Sequence, residues 1–212
     1  MNEDTISTEA ARRLYDRLGA RYDWAERFEG RAKVRALDLL DLSGGQRVLD
    51  VGVGTGKEHA RLVAAVGADG RAVGVDISFT MLDIARTRTG APVCQADARH
   101  LPFVSASFDR LFCSYVLDLI PAGDLPDVLA EFRRVLKPEG RMALVSLTEG
   151  VTLPSRLFVA VWKLAYVVSP IACGGCRPLR LSPLVRGAGF TILSREIVVQ
   201  LGVPSEVVVA AH

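Results

Sequence analysis

Residues 48–58, Val-Leu-Asp-Val-Gly-Val-Gly-Thr-Gly-Lys-Glu, constrain this chain more than any other stretch. An apolar, β-branched run ends at Val51, glycines follow at positions 52, 54 and 56, and a helix-compatible mixture begins at Lys57. The pattern predicts a strand, a tight turn and a helix start, because glycine accepts left-handed backbone and lets a ligand lie against the bare main chain. The spacing is G-x-G-x-G, whereas dinucleotide-binding turns carry G-x-G-x-x-G. That departure counts against a nicotinamide or flavin oxidoreductase.

Further apolar runs repeat the theme. Gly74-Val-Asp76-Ile77-Ser78 closes a second strand, and an acid at that place accepts both hydroxyls of a ribose. A third strand over 92–96 leads into Asp97-Ala98-Arg99-His100, and a fourth over 108–115 includes Ser114 and Tyr115. Helical periodicity over 122–136 ends at Pro138-Glu-Gly140, before a fifth strand over 141–147. This alternation predicts an α/β, doubly wound, mostly parallel sheet, whose ligands gather at the carboxyl ends of strands. Asp50, Asp76, Asp97 and Ser114 all fall at or beside such ends.

In this order the stretches resemble class I S-adenosylmethionine-dependent methyltransferases, especially the ubiquinone/menaquinone C-methyltransferase-like (UbiE-like) group, over nearly the whole chain. The resemblance implies a Rossmann-like sheet of order 3-2-1-4-5-7-6 with its last strand antiparallel. It implies S-adenosyl-L-methionine as cofactor and methyl transfer to a small acceptor. By the same resemblance, Gly52, Gly54 and Gly56 carry the cofactor's amino-acid end, with Asp50 behind them and Thr55 adding a polar contact. Asp76, with Ile77 beside it, takes the ribose, Asp97 and the backbone of Ala98 take the adenine, and Ser114 lies at the cofactor. Residues 14–24, Leu-Tyr-Asp-Arg-Leu-Gly-Ala-Arg-Tyr-Asp-Trp, are similar to the group's N-terminal signature, whose paired Tyr-Asp motif lies over cofactor and acceptor and brings in Tyr22.

With 212 residues, half of them hydrophobic, the chain is expected to form one domain over 1–212, with an N-terminal helical cap at 1–44. The cap's first helix starts at Ser7 or Thr8 and its second spans 32–42. A net charge of +2 gives no basic excess for nucleic acid. The run Cys113-Ser-Tyr-Val-Leu-Asp-Leu also lacks the Asn-Pro-Pro-Tyr motif of nucleic-acid amino methyltransferases. The polar, acidic residues 1–5 lack the basic and apolar regions of a signal peptide, so a cytoplasmic location is expected. His59, His100 and His212 do not complete a zinc spacing with Cys173-Gly-Gly-Cys176, so that pair reads as plain thiols in a turn, with no metal.

The run 153–171 is almost wholly apolar, with Arg156 and Lys163 as its charged residues, and is too short and charged for a membrane span. One reading buries this helix on the sheet or in a homodimer. The other makes 151–180 a cover on the acceptor side, with a lipophilic acceptor and peripheral membrane contact. A short helix beginning over 178–184 and a strand pair over 191–199 and 203–210, turning at Gly202-Val-Pro204, complete the chain.

His100, which titrates near neutrality when unperturbed, and Tyr115 are candidates for a catalytic base, and neither is assigned the role. Two further classes stand beside the methyltransferase reading: an NAD-type oxidoreductase, and a non-catalytic S-adenosylmethionine-binding protein.

Overall fold

The computed structural model describes residues 5–212; the polar opening at 1–4, which entered the expectation of location, lies outside them. At the centre, β1 (Arg47–Val51) pairs in parallel with β2 (Arg71–Asp76) and β4 (Phe108–Ser114). β3 (Val93–Gln95) flanks β2, and β5 (Leu136–Leu147) flanks β4. β7 (Val203–Ala211) lies antiparallel between β5 and β6 (Thr191–Gln200). The sheet therefore has the order 3-2-1-4-5-7-6, as expected.

The inner strands read as nearly unbroken apolar runs because helices cover both faces. Leu49, Leu111, Leu144 and Val208 are buried on the face covered by α5 (Leu125–Val135) and α7 (Leu181–Gly187). On the other face Val48, Phe112 and Val207 meet Leu37 of α2 (Glu26–Leu39) and Leu62 of α3 (Lys57–Val66). Phe158 and Trp162 of α6 (Leu153–Val168) join that face from its border. α4 (Phe79–Thr89) packs on α3 and β3, and α1 (Thr8–Leu18) rests on α4.

Three local expectations are corrected. The second helix begins at Glu26 rather than Ala32, after a 3-10 segment over Gly19–Ala25 that Gly19 opens with φ of 47°. Pro138-Glu-Gly140 does not precede the fifth strand but lies within it. Pairing with β4 jumps there from Phe108 to Arg110 while β7 pairs only from Arg141 onward, so the proline interrupts no regular ladder. The β6–β7 turn is made by Leu201 and Gly202, whose φ values of 50° and 86° suit a two-residue hairpin, and Pro204 already belongs to β7.

Two glycines of the first turn differ in what surrounds them. A Cβ on Gly56, where φ is 80°, would meet the Ala85 Cα at 2.8 Å, so this residue sets how closely α3 and α4 approach. At Gly54, with φ of 52°, the nearest atom lies 3.9 Å away. Gly56→Val is expected to cost about 2 to 5 kcal/mol in denaturant melts, from strained backbone plus overpacking. Gly54→Val should stay folded within about 1 to 3 kcal/mol of the wild type.

Candidate active site

The carboxyl ends of β1, β2 and β4 and the loop after β3 open into one cavity, closed on its outer side by α1 and the 3-10 segment. Of the residues singled out from the sequence, Tyr22, Gly52, Gly54, Thr55, Asp76, Ile77, Asp97, Ala98, Ser114 and Tyr115 line it. Asp50 and Gly56 do not line it. The Asp50 Oδ2 sits 3.2 Å from Nδ1 of His59, and both side chains are buried. His100 is exposed and the structure does not bring it to the cavity. Nor does any residue of 151–180 line it: that segment packs behind the wall, where the Gly174 carbonyl accepts from the Tyr15 hydroxyl at 3.3 Å. Cys173 and Cys176 are free thiols in the same turn.

The turn and the end of β2 are built as one unit. The backbone N–H groups of Gly52 and Val53 both donate to the Val75 carbonyl, and Gly54 N–H donates to Asp76 Oδ2 at 2.9 Å. Asp76 Oδ1 accepts from Ser78 N–H at 2.9 Å. Each carboxylate oxygen keeps a lone pair for a ligand hydroxyl. Burial pushes this acid up to about 6, against the pull of those two N–H groups.

Asp97 is clasped by Arg99, whose Nε and terminal nitrogen reach its two oxygens at 3.0 and 2.6 Å. Burial would raise the Asp97 carboxyl, but these bonds outweigh it and hold the group below its ordinary range. The same guanidinium reaches Asp124 at 2.6 Å and the Thr8 hydroxyl at 2.8 Å, tying α1 to the loop after β3. Nothing in the sequence pattern flagged Arg99 beyond its place next to Asp97.

Both Tyr-Asp pairs of the N-terminal segment divide their labour. Tyr15 and Tyr22 line the cavity edge to face, with ring centroids 5.5 Å apart. Asp16 accepts from the Ser78 hydroxyl at 2.6 Å, and Asp23 from the Thr55 hydroxyl at 2.5 Å and from Arg88 at 2.8 Å. Thr55, expected to touch the cofactor, thus donates its hydroxyl proton to the segment that closes the cavity.

Tyr115 leaves β4 with φ of 53°, a conformation that strains a bulky residue, and its hydroxyl lies 2.5 Å from Ser205 Oγ. Between its ring and that of Tyr22 sits the Lys33 ammonium, 5.6 and 5.5 Å from the two centroids and only 4% exposed. Glu26 and Glu29 each approach the ammonium at 3.0 Å. Burial opposes the lysine's charge, but Glu29, Glu58 and Glu26 outweigh it and raise its pKa. Burial also pushes Glu58, which lines the cavity, up to about 7, with Glu26 and Asp50 adding to the effect. Sequence periodicity missed this cluster: Glu26, Lys33 and Glu58 read as the polar sides of helices.

Asp76 and Glu58 hold protons in the fold that an unfolded chain releases near pH 4. Their contribution to stability is complete below about pH 4 and disappears as pH rises through about 6 to 7. The melting temperature without ligand should therefore fall across this window. Each kcal/mol corresponds to about 2 to 4 °C in a chain of this size. Asp76→Asn should flatten the part of the decline between about pH 4 and 6, as differential scanning fluorimetry across a pH series can check.

A methyltransferase domain model matches residues 48–140. The chain is 37% identical over 123 residues to methyltransferase GfsG of Streptomyces halstedii, covering 55% of this chain and 43% of that protein. It is 31% identical over 177 residues to the 2-phytyl-1,4-naphtoquinone methyltransferase of Trichormus variabilis, covering 78% of this chain and 76% of that one. The chain thus spans less than half the length of the first relative. A chain from the Haloferax volcanii complex of the Trm112 methyltransferase activator with a methyltransferase superposes with a TM-score of 0.76 at 20% identity, over 95% of this chain and 96% of that one, which bears on the fold alone. A relative matched across most of both chains, on a sheet and glycine turn of this form, shows that the chain belongs to the class I S-adenosylmethionine-dependent methyltransferases, in their UbiE-like group.

Proposed function

We propose that this chain transfers a methyl group from S-adenosylmethionine to a small, lipophilic, ring-bearing acceptor. One observation carries the reading: a single cavity combines half-buried carboxylates suited to a nucleoside with a wall of tyrosine rings, Leu119 and Ile120. The Trichormus relative's naphthoquinone substrate fits that wall in kind.

In this reading the Gly52–Gly54 backbone holds the amino-acid end of the cofactor, and the open space beside Gly54 admits it. Asp76 accepts from the ribose hydroxyls. Asp97 uses its remaining acceptor capacity for the adenine amino group, next to the Ala98 backbone, and Ser114 lies alongside. S-adenosylmethionine supplies a methyl group on a cationic sulfur that leaves as a neutral thioether. The protein's part is alignment, which can lower the barrier by about 7 to 11 kcal/mol. The faces of Tyr15, Tyr22 and Tyr115 attract a cation while excluding water.

An acceptor that loses a proton on methylation needs a group to take it. Glu58 is the acid lining the cavity that titrates closest to neutrality, and it sits by the Lys33 cluster. It accepts the proton as the new bond to carbon or oxygen forms.

Incubation with isotopically methyl-labelled S-adenosylmethionine and a panel of quinols and phenols, read by mass spectrometry, should give labelled product. No transfer to any lipophilic ring compound, with transfer to a hydrophilic one, would defeat the acceptor assignment. With an acceptor in hand, kcat/KM should rise with pH through an apparent pKa near 7. Glu58→Gln should remove that rising limb and lower kcat about 10²- to 10⁴-fold, while cofactor affinity changes little.

A further inference from the structure

The outward face of α6 is built opposite to that of an ordinary surface helix. Ser155, Val159, Phe158, Trp162 and Tyr166 turn inward, and the Trp162 and Tyr166 side chains donate to the Cys176 and Gly175 carbonyls at 2.8 and 3.3 Å. The side facing away from the protein should then be polar. Instead it carries Leu153, Leu157, Leu164 and Val168, which are 81%, 68%, 69% and 79% exposed. Sixteen residues are too few to cross a bilayer, and no helix among the described residues is long and apolar enough to do so.

Cations outnumber acids along the chain around this face. Residues 141–190 contain six arginines and lysines and a single acid, Glu149, which is paired with Lys163 at 2.7 Å. Arg156, Arg180 and Arg186 are exposed and have no ion-pair partner among the described residues. Arg180 and Arg186 share a groove with Gly150 and Val151, immediately before α6, and the two acids that also line it, Glu149 and the buried Glu206, are paired with Lys163 and Arg195, so the unpaired cations border the apolar stripe at its start.

We propose that α6 is a docking surface for an anionic lipid bilayer, with its leucines in the acyl boundary and Arg180 and Arg186 on the phosphates. An apolar face bordered by unpaired cations matches both layers of such an interface, whereas the same face of a second copy offers those cations only Glu149, already paired with Lys163. The inner edge of α6 holds the 173–176 turn against Tyr15 and Leu119 of the cavity wall, which places the docked face next to the acceptor's side. This deepens the lipophilic-acceptor reading but does not depend on it for its test.

The purified chain should float with vesicles of phosphatidylcholine containing phosphatidylglycerol and much less with phosphatidylcholine alone. Leu157→Ser/Leu164→Ser should reduce partitioning at least about tenfold. Arg180→Glu/Arg186→Glu should remove the preference for anionic lipid. Cofactor affinity by calorimetry should be unchanged in both double variants, which separates a failure here from a failure of the methyltransferase reading. Absence of flotation, flotation unaffected by the leucine substitutions, or a dimer that those substitutions dissolve without any vesicle binding would each overturn the proposal.

Discussion

Asp16 and Asp23 hold the N-terminal segment to the carboxyl edge of the sheet, and the cavity exists because they do. A parallel sheet supplies only an open crevice at its strand ends. Here Asp16 takes the Ser78 hydroxyl beyond β2, Asp23 takes Thr55 in the glycine turn together with Arg88, and Arg99 ties α1 to Asp97 and Asp124. Each bond involves an ionised partner, which makes it stronger than a neutral one and sensitive to loss of either end. Tyr15 and Tyr22, adjacent in sequence to the two aspartates, are thereby set as the wall facing the reactants.

Closure has an electrostatic consequence. Lys33 is shut in with three carboxylates around it, and Glu29 and Glu58 are both raised by burial while the lysine remains charged. Such a group of charges is costly to bury, and the fold retains it beside the tyrosine wall where a cationic cofactor and a proton-losing acceptor would meet. Asp76 shows the same economy at the other side of the turn: two backbone N–H groups keep it oriented while burial holds its pKa near that of a weak acid.

The sheet was legible in the sequence because its signals are local. Apolar runs of strand length, the glycine turn and acids at strand ends depend on neighbours along the chain, and α3 starts at Lys57 as its sequence predicts. What escaped depends on partners distant in sequence. Lys33 and Glu58 look like solvent-facing residues until α2 is laid over α3, and Arg99 acquires its role only when Thr8 and Asp124 arrive beside it. His100 was attractive for its chemistry, yet its turn with Asp97 directs it to solvent. Of the two readings of α6, its aromatics follow the one that packs the helix on the sheet, and its informative face is the apolar one turned outward.

The central claim is that the two aspartate clamps create the binding chamber, and amide hydrogen exchange combined with cofactor titration tests it most directly. In Asp16→Ala/Asp23→Ala, protection should fall across residues 8–25 while β1, β4 and β5 stay protected. S-adenosylmethionine affinity should drop about tenfold or more, as expected for loss of charge-assisted bonds of about 1.5 to 3 kcal/mol each. Unchanged protection in 8–25 together with wild-type affinity would contradict the account.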